Sequence, residues 1–218
     1  MNKLKAYDTI FQGGTGEYFM KKSRFIATVE PAQTEEEALA IIEDVKKKYW
    51  DARHNCYAYV IGNTNPIMRF SDDGEPSQTA GKPMLDVLLS KELYNLVVVV
   101  TRYFGGTLLG TGGLVKSYQS ATIEGLNNSK IITKEPGIRV KLTTDYTYVG
   151  KIQHLIGQAS IPVINSEFTD IVTINLIIGQ DKIEDFIDKV TDLTSGHANI
   201  DKIKETYFAT SDNKVHLF

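Results

Sequence analysis

A glycine-rich segment after a run of β-branched residues is the first place in the sequence where chemistry could occur. The run Leu96–Tyr103 is typical of a strand buried on both faces, and a helix is predicted over residues 113–127. A strand, a glycine loop and a helix in this order present free backbone N–H groups to an anion. Thr111 follows the glycine where the Walker motif has lysine, and Val115 stands in place of the last dinucleotide-binding glycine. Two alternatives remain: an anion-binding loop with Arg102, or glycines that only permit close packing.

Residues 71–85 form a second segment, rich in carboxylates, glycine and proline. Asp72, Asp73 and Glu75 lie within four residues, and carboxylate oxygens are ligands for Mg²⁺ and Ca²⁺. The EF-hand pattern is absent, because its later ligands do not recur. Aspartate and glycine also form turns in which the aspartate side chain accepts hydrogen bonds from nearby backbone donors. We therefore interpret the segment as a structural or interaction loop and predict no metal site there.

Residues 52–59 place a histidine and a cysteine on one face of a predicted strand. His54, Cys56 and Ala58 alternate, so their side chains are expected on the same side. A cysteine nucleophile needs an accessible thiolate and a third group that orients the histidine, and the sequence identifies neither. A buried structural Cys56 is favoured. The G-x-S-x-G and H-E-x-x-H motifs are absent from the sequence, and we predict no catalytic residue and no cofactor.

Composition excludes several classes of protein. The 218 residues are 42% hydrophobic and 23% charged, as expected for one large or two small globular domains. No run approaches the ~20 apolar residues of a membrane span, and no apolar signal segment follows the basic start of the chain. The single cysteine excludes an internal disulfide framework. We expect a cytoplasmic protein with no membrane partner.

The charge balance argues against a bulk nucleic-acid binder. Residues 1–130 carry 15 Lys and Arg against 15 Asp and Glu, and residues 131–218 carry 9 against 12. Nucleic-acid-binding domains are generally basic. Any polyanion site must therefore be a local cluster of Lys and Arg, and no DNA sequence specificity is expected.

The elements that must position these segments mix strands and helices in the first part of the chain. A strand is predicted over residues 23–29. A helix begins at Thr34, because Thr34 and Glu37 have the spacing of a capping box. A hairpin is predicted within residues 55–70, and Pro83 begins a second helix. The packed face of the third helix is predicted to contain Leu114, Tyr118, Ala121 and Gly125.

The second part of the chain has a simpler order of elements. Residues 131–137 form the predicted boundary, since Pro136 and Gly137 indicate a turn. The periodicity after the boundary predicts the order β-α-β-β-α-β, which is that of a ferredoxin-like split βαβ domain. We therefore divide the chain into domains over residues 1–133 and 134–218.

Four blocks of the first domain together resemble the YigZ/IMPACT family. The blocks are Lys22-Ser23-Arg24-Phe25-Ile26 and residues 52–59, 71–85 and 97–118. The last two are long and specific, and residues 137–210 resemble the second domain of the bacterial members. The departures are small: Gln78 stands where a glycine is common and Ser117 where an alanine is common.

The resemblance implies an α+β protein of two domains. The first would have the ribosomal protein S5 domain 2-like fold, similar to domain IV of the translocation elongation factor. The second would be ferredoxin-like and similar to domain V of that factor, in agreement with the order of elements above. The eukaryotic relatives regulate translation by relieving activation of a stress kinase, and they carry an additional RWD domain. Because that domain is not found in this sequence, we do not transfer their partner.

We expect a non-enzymatic cytoplasmic factor that binds RNA, the ribosome or a translation-associated protein and regulates translation. Arg102 and the amides of the glycine loop would contact phosphate, and Tyr103 or Phe104 would stack on a base. The candidate phosphate- and RNA-binding residues are Lys22, Arg24, Arg53, Arg102, Tyr103, Phe104, Gly105, Gly106, Gly112, Gly113 and Lys116. The candidate interaction loop contains Asp72, Asp73, Gly74, Glu75, Pro76, Thr79 and Lys82.

Two alternatives belong to other functional classes. One is a small-molecule or metal-dependent hydrolase whose cleft is formed by His54 and the three carboxylates of the loop. The other is a protein-interaction module that presents residues 71–85 to its partner.

Overall fold

The computed structural model describes residues 4–212 and 214–218, which fold into two compact units. We call residues 7–132 the N-terminal unit. Residues 4–6 and the described residues from Thr133 onward form the C-terminal unit.

The N-terminal unit is built on a five-stranded antiparallel sheet. Its elements are β1 (Tyr7–Gln12), β2 (Gly14–Met20), β3 (Ser23–Pro31), α1 (Glu35–Lys48), β4 (His54–Ile61), β5 (Ile67–Ser71), α2 (Gly81–Ser90), β6 (Leu96–Tyr103) and α3 (Gly110–Asn127). The strand order is β2-β3-β6-β4-β5, so the β-branched run of β6 is the central strand. It is buried on both faces, as its composition predicts.

Helices cover both faces of this sheet. Val97 and Val99 of β6 pack with Ile42 of α1 on one face, whereas Val98 and Val100 belong to the core under α2 and α3 on the other. The predicted capping of α1 is confirmed, because the Glu37 N–H donates to Thr34 Oγ1 over 3.1 Å.

Small residues bring α3 close to the sheet. A Cβ atom placed on Gly125 would lie 2.8 Å from a Val29 methyl carbon and 2.9 Å from the Ala27 Cβ. These distances are shorter than van der Waals contact, so glycine is required for the observed packing of α3 against β3.

The C-terminal unit has the predicted order β-α-β-β-α-β, with one further strand at its end. Its elements are β7 (Lys130–Thr144), α4 (Tyr146–Gln158), β8 (Val163–Phe168), β9 (Val172–Gly179), α5 (Ile183–Thr194), β10 (Asn199–Ser211) and β11 (Lys214–Leu217). The strands of its sheet follow the order β11-β10-β7-β9-β8 and are all antiparallel. Its core contains Val140 and Leu142 of β7 with Ile152 of α4 and Phe186 of α5.

Several details differ from the sequence-based expectation. Pro136 and Gly137 form no turn but lie inside β7, where they pair with Tyr207 and Thr206 of β10. The third helix begins at Gly110, not Gly113; Gly110 itself has a φ of +71°, and Thr111, Gly112 and Gly113 continue the helix. The strands β1, β2 and β11 were not predicted. In the described part of the chain, no helix is long and apolar enough to cross a membrane.

The close packing of α3 generates a stability prediction. Gly125→Ala introduces a Cβ against Ala27 and Val29, and the strain should lower the free energy of unfolding by about 1–3 kcal/mol. The matched control is Gly150→Ala in α4, where a Cβ meets no atom within 4 Å. This change should raise the free energy of unfolding by up to about 1 kcal/mol, because alanine favours helix. Urea unfolding measures both, and equal effects of the two changes would contradict the packing argument.

Candidate functional site

Strand register places three chemically different side chains next to one another on the sheet. Arg102 of β6 pairs with Phe25 of β3 on one side and with His54 of β4 on the other. Alternation along β6 puts Arg102 on the same face as Val98 and Val100, which is the face covered by α2 and α3. The row Phe25-Arg102-His54 therefore lies at the end of that core.

A cleft of about 490 Å³ opens beside this row. Polar groups from three segments line it, and they are joined by apolar side chains of the glycine loop and α3. The lining residues are Arg53, His54, Glu75, Pro76, Arg102, Phe104, Leu108, Leu109, Gly110, Thr111 and Leu114. The combination of an apolar wall with a few polar groups is typical of a ligand site.

A buried ion pair forms the polar part of the cleft. The Arg102 Nη1 donates to Glu75 Oε1 over 2.6 Å, and the two side chains are only 7% and 4% exposed. The Arg102 guanidinium carbon also lies 5.5 Å from the centre of the Phe25 ring and 5.6 Å from that of Phe104. The Nε of Arg102 is buried and has no hydrogen-bond partner among the described residues. Much of the donor capacity of this guanidinium is thus unused.

Glu75 has a second buried hydrogen-bond partner in addition to Arg102. The Tyr118 hydroxyl donates to Glu75 Oε1 over 2.8 Å. The Cys56 sulfur lies 3.3 Å from the Tyr118 hydroxyl oxygen and 3.0 Å from the Asp72 carbonyl oxygen. Burial raises the pKa of both the Cys56 thiol and the Tyr118 phenol, so both groups stay protonated near neutral pH. Cys56 is therefore a buried hydrogen-bonding residue, as favoured from the sequence.

We call residues 71–85 the acidic loop. Its other carboxylates, those of Asp72 and Asp73, hold the loop backbone in place. The Asp72 carboxylate accepts hydrogen bonds from the N–H groups of Gln78, Ala80 and Gly81, at 2.8 to 3.0 Å. The Asp73 carboxylate accepts from the Asn55 N–H over 2.6 Å. These bonds tie the loop to β4 and to the start of α2. In the described residues, no cluster of three or more His, Cys, Asp and Glu side chains could hold a metal ion.

The backbone conformation at position 78 explains why a glycine is common there in the family that the sequence resembles. Gln78 has a φ of +60°, in the left-handed region that glycine adopts most easily. Its N–H bond to Asp72 holds it there.

The N-terminus of α3 forms the second polar part of the cleft. Gly110 and Thr111 of its first turn line the cleft, and no side chain caps the helix at Leu109. The N–H groups of the first turn carry a partial positive charge and have no acceptor within the helix. Gly105 lies directly against the backbone of Lys22 in the loop before α3. A Cβ atom at this position would lie 2.1 Å from the Lys22 carbonyl carbon, so only glycine fits without a shift of the loop.

The structure separates the predicted RNA-binding residues into three groups. Arg53, Arg102 and Phe104 line the cleft. Tyr103 and Arg24 pair with each other across β6 and β3 on the opposite face of the sheet, so they cannot join Arg102 in one contact.

Each residue of that second group has a partner of its own. The Tyr103 hydroxyl donates to Asp51 over 2.8 Å, and Arg24 bonds to Glu17 over 2.5 Å. The remaining predicted residues lie in the β2–β3 turn, the glycine loop and α3, outside the cleft lining. They are Lys22, Gly105, Gly106, Gly112, Gly113 and Lys116.

The predicted interaction loop is also divided. Glu75 and Pro76 line the cleft. Gly74 lies beside His54, because a Cβ atom placed on Gly74 would be 3.4 Å from the His54 Nδ1. Thr79 donates to the Pro76 carbonyl oxygen, and Lys82 forms an ion pair with Asp86 in the next turn of α2.

Sequence reasoning missed some of the lining residues. Leu108, Leu109 and Thr111 were not assigned to the site, because loop residues carry no periodic signal. Tyr118 was predicted only as a packing residue of α3. Its contact with Glu75 depends on tertiary structure, which brings together residues 43 positions apart.

The buried pair generates a prediction about stability. Arg102→Ala leaves Glu75 buried without its cation, and the free energy of unfolding should fall by about 3–5 kcal/mol. Arg102→Met with Glu75→Gln removes both charges and keeps an acceptor for the Tyr118 hydroxyl, so most of the loss should be recovered. Denaturant unfolding measures both variants. A double variant as unstable as Arg102→Ala would show that the pair does not account for the loss.

Comparison with known proteins assigns the chain to a family. Residues 21–126 match the Impact N-terminal domain, and residues 142–197 match a domain of unknown function, DUF1949. The chain is 36% identical over 212 residues to the IMPACT family member YvyE of Bacillus subtilis, covering 97% of this chain and 98% of the relative. It is 37% identical over 188 residues to the IMPACT family member YigZ of Escherichia coli, covering 85% and 92%. A crystal structure described as a hypothetical protein superposes with a TM-score of 0.59 at 34% identity, covering 93% of this chain and 99% of that one. The chain thus belongs to the IMPACT family.

Proposed function

We propose that this protein is a cytoplasmic, non-enzymatic factor that binds RNA through the cleft of its N-terminal unit and regulates translation. The proposal rests on the hydrogen bonding of Arg102. This residue is a buried arginine in the cleft, and its ion pair with Glu75 uses Nη1. A guanidinium has five N–H donors, and an anion that enters the cleft can take those that Glu75 leaves.

The N-terminus of α3 supports a phosphate as that anion. The uncapped first turn at Gly110 and Thr111 presents backbone N–H groups to the same cleft that contains Arg102. Helix N-termini bind phosphate through such groups and through the helix dipole. A phosphate between α3 and Arg102 would satisfy both sets of donors.

The apolar wall supports a nucleotide rather than a free phosphate. Phe104 is 53% exposed and Leu108 is 83% exposed, although both are large apolar side chains at the mouth of the cleft. An exposed aromatic ring beside a phosphate site can stack on a base without regard to sequence. Single-stranded RNA offers such unstacked bases.

The family resemblance supports a role in translation. The fold implied by that resemblance is similar to two domains of the translocation elongation factor, and eukaryotic relatives regulate translation. Ribosomal RNA is then the RNA most suited to the cleft. Because residues 1–130 have no net charge, we expect modest affinity that depends on local contacts.

The hydrogen bonds of the acidic loop favour binding over hydrolysis. A metal-dependent or general-base mechanism needs a carboxylate that is free to face substrate. Asp72 and Asp73 accept bonds from backbone N–H groups, and Glu75 is shared by Arg102 and Tyr118. All three carboxylates thus have partners that hold the fold.

A change in the aromatic wall tests the stacking contact. Phe104→Ala should weaken binding to ribosomes or to single-stranded RNA by about 1–3 kcal/mol, the usual value of one stacked base. The matched control is Phe19→Ala, because Phe19 is 62% exposed on β2 and lies outside the cleft. Co-sedimentation with ribosomes and separated subunits at low and high salt measures the effect. Equal loss in both variants, or no binding by the wild type, would overturn the proposal.

A charge placed at the start of α3 tests the phosphate contact. Thr111→Asp should stabilise the helix by about 0.3–1 kcal/mol, since an acidic side chain interacts well with a helix N-terminus. The same charge should repel a phosphate and weaken RNA binding. Thr111→Asn is the uncharged control of nearly the same shape, and it should bind like the wild type. Thermal unfolding and fluorescence anisotropy with labelled RNA separate the two effects. Unchanged binding by Thr111→Asp would exclude a phosphate at this turn.

A further inference from the structure

One face of the sheet in the C-terminal unit carries a cluster of cations. Along β7, Val140 and Leu142 point into the core with α4 and α5, so Arg139 and Lys141 lie on the other face. Cross-strand partners lie on the same side of a sheet. We call this surface the open sheet face and define it by Arg139, Lys141, Asn175, Asn199, Asp201 and Lys204.

The cations on this face are placed unfavourably for an isolated protein. Arg139 of β7 and Lys204 of β10 are direct cross-strand partners, and Lys141 lies two residues from Arg139. Like charges directly opposite each other destabilise a sheet. Within residues 4–212 and 214–218, none of these three cations has a salt bridge. Asp201 lies directly across from Lys141, and strand register also places Glu135 of β7 and Glu167 of β8 on this face, farther from the three cations.

Arg139 supplies a second, independent observation. Its side chain is only partly exposed, and its Nε is buried without a hydrogen-bond partner among the described residues. A buried N–H of a charged group without an acceptor is unfavourable. An anion bound over Arg139 would satisfy other donors of the guanidinium and offset the repulsion from Lys204.

The neighbouring side chains can hydrogen-bond to a nucleic acid. Asn175 lies beside Lys141 on β9, and Asn199 and Thr143 are partners at the end of the same face. Amides and hydroxyls contact phosphate and sugar oxygens, including the 2′-hydroxyl of RNA. A membrane surface would require several exposed large apolar side chains among the cations, whereas Ile177, the cross-strand partner of Arg139 on β9, is fully buried.

We infer that the open sheet face binds the phosphodiester backbone of RNA, as a second RNA contact of the chain. The inference rests on the proposed function for its choice of ligand, but it uses separate residues. The local clustering supports it: residues 131–218 have 9 cations against 12 acidic residues, yet Arg139, Lys141 and Lys204 are neighbours and form no salt bridge among the described residues. Backbone contact of this kind is independent of base sequence and strongly dependent on salt.

Removal of these charges gives the test. The variant Arg139→Gln/Lys141→Gln/Lys204→Gln is compared with Lys151→Gln/Lys182→Gln/Lys189→Gln, which removes three charges at or near the helices. Anisotropy of a labelled oligouridylate is measured over a range of salt. Each phosphate contact in a single strand contributes about 0.7 to the slope of log K against log salt. The slope of log K against log salt for the face variant should therefore be smaller in magnitude by about 2, and the variant should bind about a hundredfold more weakly at about 0.1 M salt. The control should keep its slope.

Two further variants guard against loss of folding. Lys141→Gln/Lys204→Gln changes only exposed side chains and should lose about 1.4 from the slope. Asp201→Asn removes the carboxylate beside Lys141 and should tighten binding, which an unfolded variant cannot do. Circular dichroism checks the fold of every variant.

The outcomes separate this inference from the cleft proposal. If the face variant binds like the control while Phe104→Ala binds weakly, the open sheet face is refuted and the cleft stands. If only the face variant is weak, the cleft is refuted instead. Absence of RNA binding by the wild type overturns both. Polyglutamate or anionic vesicles that compete as well as RNA would show that the face binds another polyanion, and this also overturns the inference.

Discussion

The buried pair of Arg102 and Glu75 is the interaction on which the N-terminal unit and its cleft depend. It joins the central strand β6 to the acidic loop, and through the Tyr118 hydroxyl it joins both to α3. An ion pair at this depth is stable only if other hydrogen bonds compensate for lost hydration. Tyr118 supplies one such bond to Glu75, whereas the Arg102 Nε has no acceptor in the part of the chain that the structure describes. The carboxylate therefore has a second hydrogen bond at Oε1, whereas the guanidinium has a buried donor without an acceptor among the described residues.

This asymmetry follows from the way each partner is attached. Glu75 lies on a loop whose backbone is fixed by hydrogen bonds to the Asp72 and Asp73 carboxylates, so contacts other than Arg102 also hold its position. Arg102 extends from a β-strand next to Phe25, and the aromatic ring covers part of the guanidinium without accepting strong hydrogen bonds. A ligand would therefore form the most favourable hydrogen bonds on the side of the Arg102 guanidinium that does not contact Glu75.

Local patterns in the sequence predicted the elements better than the site. The capping box at Thr34, the β-branched run of β6 and the β-α-β-β-α-β order each depend on neighbouring residues, and the structure has all three. The β2 strand, with its two glycines, has no strong periodicity and was missed. The separation of Tyr103 from Arg102 was also available from strand alternation, but grouping by charge and aromatic type obscured it. The contact of Glu75 with Tyr118 could not be predicted, because no local pattern links a loop to a helix so far along the chain.

A neutralised arginine is compatible with anion binding because the ligand need not displace its partner. Glu75 contacts Nη1 alone, and its other bond, from Tyr118, keeps it in place when an anion arrives. In the proposed complex, the anion would contact the remaining guanidinium donors together with the first turn of α3. Repulsion from Glu75 lowers the affinity, but it also disfavours ligands that offer charge without the apolar contact of Phe104 and Leu108. Under the proposed function, the cleft would therefore favour a phosphate that carries a base over a free inorganic anion.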